Sequence, residues 1–252
     1  MQITIIPCLS DNYAYLIEAG GAVGVVDPSE EAPVVASLEQ KGLRLTHILN
    51  THHHFDHTGG NVGLKARYGA RIIGPRADAH RIPGLDEGVG EGDTISVGGA
   101  KAVIIDIPAH TSGHIAFHFP ESGDVFTGDT LFAMGCGRLF EGTPDDMWRA
   151  MSKLAALPPT TRVWCGHEYT QSNGRFALSV DGENAALAAR MAKVKTLRDA
   201  GAPTMPSNIG DELATNPFMR ANLPALAEAV GMRGHTPSDV LGEIRRRKDS
   251  FR

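Results

Sequence analysis

The 252-residue chain is poor in cysteine, with only Cys8, Cys136 and Cys165, far apart and forming no CxxC pair. An odd and scattered set argues against a disulfide framework or a zinc ribbon and points to a reducing, cytoplasmic setting. Long apolar runs are missing as well. No stretch approaches the roughly 18 uninterrupted apolar residues of a membrane span. The opening MQITIIPCLSDNYAYLIEAG lacks the basic region and long apolar core of a signal peptide. Basic charge is not in excess: a net charge of −5 opposes broad binding to nucleic acid, which is driven by neutralising phosphates. There is no GxSxG elbow to carry a serine nucleophile, no internal repeat and no low-complexity tract. What is there has the composition of a soluble globular protein, 42% hydrophobic and 21% charged. The length suits one large core or a main domain with a small appendage.

Short apolar runs punctuated by Gly, Pro and Asp fill the first two-thirds. Residues 3–6, 13–17 and 23–26 read as strands separated by SDN and GG turns. A helix over 34–40 with Val34, Val35 and Leu38 on one face should stop at Gly42. Strands are expected at 47–49, 71–74, 101–107 and 162–165, a helix at 62–68, and a hairpin from 116–119 and 124–127 around Glu121-Ser122-Gly123. Mixed strands and helices indicate an α/β layered domain. Past residue 170 the texture turns helical. Residues 182–200 carry Leu187, Met191, Val194 and Leu197 at helical spacing, and 223–230 reads as a second helix. Thr236 caps a last helix that opens at Pro237. The expected division is 1–169 and 170–252.

The segment Thr51-His52-His53-His54-Phe55-Asp56-His57-Thr58-Gly59-Gly60 is the chemical centre. Imidazole and carboxylate suit zinc, iron and manganese. In an extended or turning backbone His52 and His54 point the same way and His53 the other. Asp56 and His57 follow in a tight turn, for which Gly59 and Gly60 are expected to supply unusual dihedrals. Two ligand pairs from one loop suggest two adjacent metals. Candidates to complete them stand just past apolar runs, where an α/β sheet presents its site residues: His110, Asp129 and His167. Any one of these alone would be an unremarkable polar residue, but their joint placement is not.

The ordered set HxHxDH, His110, Asp129 and His167 resembles the metallo-β-lactamase superfamily. The strings THHHFDHTGGN, PAHTSGH, FTGDTLF, GCGRLFEGTPDDM, GHEYT, NPFMR and RRRKD resemble more closely the hydroxyacylglutathione hydrolase (glyoxalase II) family. They run along essentially the whole chain. The resemblance implies an αββα sandwich followed by a small helical domain. It implies one metal held by His52, His54 and His110, a second held by Asp56, His57 and His167, and Asp129 bridging them. His47, His53, His80, His114, His118 and His235 fall outside that set, and Cys165 is read as a buried structural thiol. Two divalent ions are expected, zinc first, with iron or manganese also suited to such mixed ligands.

Two cations would lower the pKa of a shared water from 15.7 to about 7, with Asp56 and Asp129 as the catalytic carboxylates. The hydroxide would attack a thioester carbonyl, and a thiolate leaves without a strong general acid because its parent thiol has a pKa near 8.5. The implied substrate is S-(2-hydroxyacyl)glutathione, typically S-D-lactoylglutathione, in methylglyoxal detoxification. Arg245 and Lys248 share a helical face and suit its carboxylates. A solvated basic helix end is the plainer alternative for that pair. The resemblance adds Arg138, Phe140 and Tyr169 as further contacts, with Phe140 standing where the family commonly has Tyr. A monomer with no nucleic-acid or membrane partner is expected. Rival readings are a mononuclear-iron persulfide dioxygenase or nuclease of the same fold, and a non-catalytic binding protein on this scaffold.

Overall fold

A computed structural model describes residues 1–251. The chain forms two compact units and passes between them more than once: the first holds residues 1–106 and 111–128, the second 107–110 and everything from Asp129 onward.

In the first unit, β1 (Gln2–Cys8), β2 (Asn12–Ala19) and β3 (Ala22–Val26) form an antiparallel meander. The two-residue turn from β2 to β3 is Gly20-Gly21, both at positive φ (49° and 83°), the pairing that a twist-matched hairpin turn demands. Helix α1 (Glu31–Lys41) then crosses over, so β4 (His47–Leu49) lies parallel to β3. Gly42 ends α1 in the left-handed conformation (φ 65°), as its sequence position predicts. After α2 (Phe55–Thr58) and α3 (Asn61–Tyr68), β5 (Arg71–Pro75) and β6 (Glu87–Val89) continue the parallel half. Val34, Leu38 and Leu64 pack with Leu16, Val25, Ile48 and Ile72, so α1 and α3 cover one face of the sheet.

A second, antiparallel sheet in this unit consists of β7 (Thr94–Val97), β8 (Ala100–Asp106), β9 (Ile115–Phe119) and β10 (Asp124–Gly128). The two sheets meet face to face: Tyr15 and Phe126 have ring centroids 5.5 Å apart, and the Cβ position of Gly24 lies 3.5 Å from Val97. The strand expected to run through residue 107 stops at Asp106, and residues 107–110 belong to the second unit.

The second unit contains the tight hairpin of β11 (Leu131–Phe132) and β12 (Gly135–Cys136), and β13 (Arg162–Cys165) paired antiparallel with β14 (Ser207–Asn208). Its helices are α4 (Pro144–Ala155), α5 (Thr170–Val180), α6 (Ala185–Asp199), α7 (Ile209–Thr215), α8 (Pro224–Ala229) and α9 (Pro237–Ser250). Thr236 opens α9 with a reciprocal capping box to Asp239, and Thr143 does the same for α4 with Asp146. Helix α6 departs from its expected span. It starts at Ala185 because the Asn184 side chain accepts from Leu187 N (3.2 Å), leaving Gly182 outside, and Leu197 faces outward at 40% exposure.

Candidate metal centre

Parallel strands put their C-terminal ends at one edge, and β3 and β4 end in register with Val26 opposite Leu49. Asp27 and Thr51, just past those ends, are thereby neighbours. Asp27 is buried and takes a left-handed φ of 47°, which Asp tolerates better than most residues. Its Oδ1 accepts from Thr51 N (2.8 Å), and its Oδ2 accepts from the Thr51 hydroxyl (2.7 Å) and from His57 Nδ1 (3.1 Å).

This network settles the tautomers. The single Thr51 O–H is spent on Asp27, so the hydroxyl oxygen accepts from His52 Nδ1 at 3.0 Å. The lone pair of His52 is then on Nε2, which faces His54 Nδ1 at 3.1 Å. His57 likewise donates through Nδ1 to Asp27 and turns Nε2 toward Asp56 Oδ2 at 3.6 Å. Asn12 holds that carboxylate by donating to Asp56 Oδ2 (3.1 Å) and Asp56 O (3.0 Å). An imidazole lone pair pointed at a carboxylate oxygen is repulsive unless a cation or proton stands between, and this donor set suits a divalent ion.

The short helix α2, with His54 at its N-cap position, carries Asp56 and His57 round to the same side. The dihedrals of Gly59 (φ −60°, ψ −29°) and Gly60 (φ −81°, ψ −12°) are ordinary right-handed ones, contrary to the expectation of unusual backbone there. Glycine is needed for space instead: a Cβ at Gly59 would lie 2.4 Å from Ser29 O, and one at Gly60 3.0 Å from Pro28 O. His53 turns aside to pair through Nδ1 with Asp78 Oδ2 (2.9 Å). His114 stacks on His52 at 4.5 Å and bonds through Nδ1 to Ile115 O (3.1 Å). Asp27, His52 and His57 lie close enough to form a ligand trio by themselves. The N–H and O–H donors already on both Asp27 oxygens make it the support of the two histidines.

The second unit brings together His110, Asp129 and His167, all buried. Asp129 Oδ2 lies 3.5 Å from His110 Nε2 and 3.3 Å from His167 Nε2. His110 donates through Nδ1 to Arg138 O at 2.9 Å, so its Nε2 also carries a lone pair facing a carboxylate. One carboxylate oxygen between two imidazoles has the form of a bridging ligand. Close packing holds it: a Cβ on Gly137 would lie 1.9 Å from Asp129 O and 3.0 Å from His110 Nδ1.

Of the residues expected to contact substrate, Tyr169 and Phe140 lie beside this trio, and Arg138, Arg245 and Lys248 belong to the same unit. Tyr169 lies parallel to the His167 ring (4.7 Å, 4°), and the exposed Phe140 ring is 5.2 Å from that of His110. Lys248 bonds Ser172 Oγ (3.2 Å) and sits over Phe176. Arg138 is exposed and 3.7 Å from Asp249. Arg245 is buried, donating to Cys136 O (2.8 Å) and Asp249 Oδ1 (2.9 Å), so part of its guanidinium is already committed to bracing β12. Cys165 is buried, its thiol pushed up to about 12 by desolvation, which leaves it inert. Sequence reading missed Asp27 and Asn12; their only signals were a strand-end Asp and an SDN turn.

The family model for the metallo-β-lactamase superfamily matches residues 9–167, and that for the hydroxyacylglutathione hydrolase C-terminus matches 168–251. Among solved structures, ETHE1 from Myxococcus xanthus superposes with a TM-score of 0.68 at 22% identity, covering 100% of both chains. TTHA1623, solved in a di-iron-bound form, gives 0.62 at 25% identity, covering 86% of this chain and 100% of that one. The fold is that of the metallo-β-lactamases, with an added C-terminal helical domain. A hydroxyacylglutathione hydrolase of Ruegeria pomeroyi is 53% identical over 100% of this chain and 99% of its own. The chain belongs to the hydroxyacylglutathione hydrolase family.

Proposed function

We infer that this enzyme hydrolyses S-(2-hydroxyacyl)glutathione, typified by S-D-lactoylglutathione, to glutathione and a 2-hydroxy acid in methylglyoxal detoxification. The observation that carries the chemistry is the set of imidazole nitrogens facing carboxylate oxygens: the lone pair of His57 toward Asp56, the lone pair of His110 toward Asp129, and His167 Nε2 on the same Asp129 oxygen. Family membership over the full chain carries the substrate.

We propose that His52, His54 and His110 hold one divalent ion and Asp56, His57 and His167 a second, with Asp129 between them, zinc being first choice. When bound, such ions lower the pKa of water to about 7 and polarise a carbonyl. The residues supply the remainder. Asp56, fixed by Asn12, orients the attacking water. Tyr169 and Phe140 wall the ligand histidines. Lys248 and Arg138 present cationic heads to the glutathione carboxylates, and Arg245, whose terminal nitrogens also bond Cys136 O and Asp249, adds its positive charge beside them. Residues 1–169 are proposed as the hydrolase domain and 170–252 as the substrate-binding one.

All three cysteines are free and buried, and no helix among the described residues is long and apolar enough to cross a membrane. A reducing, cytoplasmic setting is proposed from the free cysteines, together with a monomeric state. The test is thiol release from S-D-lactoylglutathione by the purified, metal-replete protein, with metal content measured on the same sample. A preparation holding two ions that releases no thiol would sink the substrate assignment.

A further inference from the structure

We propose that Asp27 is a positioning residue shared by the two metal positions: it orients one histidine of each and so ties their affinities together. The proposal rests on the two-ion reading above. Asp27 Oδ2 reaches His57 directly (3.1 Å) and reaches His52 through the Thr51 hydroxyl (2.7 Å, then 3.0 Å). His57 is assigned to one ion and His52 to the other, yet both take their tautomer from a single carboxylate.

Register makes this possible. Asp27 N donates to Leu49 O at 2.9 Å, extending the β3–β4 pairing by one residue, and Thr51 N returns to Asp27 Oδ1 at 2.8 Å. The left-handed turn at Asp27 is the local cost of aiming the carboxylate there, and strain of this kind persists only where surrounding contacts over-determine it. Burying a carboxylate is expensive, and three donors on two oxygens compensate for it. The outcome is an anion behind two imidazoles, which raises their basicity and fixes their rings.

Geometry separates the two arms. Thr51→Val removes the relay to His52 but leaves the Asp27–His57 bond. Thr51→Ser restores the hydroxyl. Asp27→Asn removes the anion behind both arms, and either orientation of the amide sets its NH2 against a donor: His57 Nδ1–H in the Oδ2 position, Thr51 N–H in the Oδ1 position.

The experiment is a chelator titration of the metal-loaded protein with EDTA, counting ions retained by mass spectrometry, with circular dichroism of the metal-free forms as the folding control. Thr51→Val is expected to release one ion at a 10- to 100-fold lower chelator concentration, the range typical of such outer partners, and to hold the other as the parent does. Thr51→Ser should match the parent, and Asp27→Asn should weaken both ions. A merely structural role would shift folding without separating the ions. The proposal is overturned if Thr51→Val retains both ions like the parent, if it loses both together, or if Thr51→Ser fails to rescue. If Asp27→Asn does not fold, the Thr51 pair decides alone. A parent that never holds more than one ion overturns the two-ion reading, and with it the shared role of Asp27. The Thr51 pair then still shows whether the His52 relay exists.

Discussion

Glu212 Oε2 accepts the backbone amide of Met134 at 2.8 Å across 78 residues of sequence. The carboxylate is fully buried and also bonds Arg190 (2.5 Å), Ser207 and Asn216 (3.0 Å). Asn216 in turn donates to Phe132 O and Gly135 O, so α7 clamps the hairpin whose Phe132 packs edge-on against His167. Met134 holds a φ of 54°, a conformation that this clamp maintains.

Removing Glu212 should therefore cost stability out of proportion to its size. Glu212→Ala leaves the Met134 amide without its acceptor and the half-buried Arg190 without its carboxylate partner, a loss on the order of 3–5 kcal/mol. Arg149→Ala, which cuts only the exposed pair with Asp146, should stay within about 1 kcal/mol. Urea denaturation compares them, and equal midpoints for the two variants would contradict the clamp.

Asp129→Ala should lower the content of both metals and abolish activity, because one carboxylate oxygen serves two imidazole partners. His53→Ala should keep near-normal metal content, since His53 is paired with Asp78. Elemental analysis after gel filtration reads both. Full occupancy in the Asp129 variant would remove the bridging role.

Lys248→Met should raise KM for glutathione thioesters about tenfold with kcat little changed, given about 1.5 kcal/mol for a charge-assisted contact far from the scissile bond. A small thioester lacking the carboxylates should be unaffected. Burial, then the nearby Arg245 and Arg175, holds the Lys248 pKa below the usual lysine value. Only the protonated amine attracts a carboxylate, so KM should climb as pH rises through that depressed pKa, and this alkaline limb should vanish in Lys248→Met. Lys248 is a cleaner probe than Arg245, whose loss would also unbrace Cys136 O.

Phe140→Tyr adds a hydroxyl to a ring that lies 5.2 Å from that of His110. One neutral hydrogen bond is worth about 0.5–1.5 kcal/mol, so KM should fall roughly two- to tenfold. An unchanged KM would mean that the ring at 60% exposure does not reach the bound ligand.

Much of the fold was legible because its signals are local. The Gly20-Gly21 turn, the strand at His47–Leu49, the stop at Gly42 and the cap at Thr236 each depend on a few adjacent residues. Helix α5 escaped because Tyr169 offers no side-chain cap to mark its start. Two-residue strands such as β11, β12 and β14 are too short to show a period. Helix α4 does carry a local start signal, Thr143-Pro144-Asp145-Asp146, with Thr143 as cap and Pro144 in the first turn.

The sequence by itself determined the donor types, their order and their nearness to strand ends, because imidazole and carboxylate are donors suited to divalent ions whatever surrounds them. It could not decide why Gly59 and Gly60 are glycines, since the limit is the approach of Ser29 and Pro28 and not their own dihedrals. Nor could it reveal Asp27, which reads as one more turn residue until parallel β3 and β4 end side by side. Tautomers, the backing of each imidazole and the commitment of Arg245 to Cys136 O were decided only by tertiary structure. They depend on which acceptor stands behind a side chain; apart from Thr51 beside His52 and Ile115 beside His114, those acceptors come from residues 28 to 109 positions away, and Thr51 is itself set by Asp27, 24 positions back.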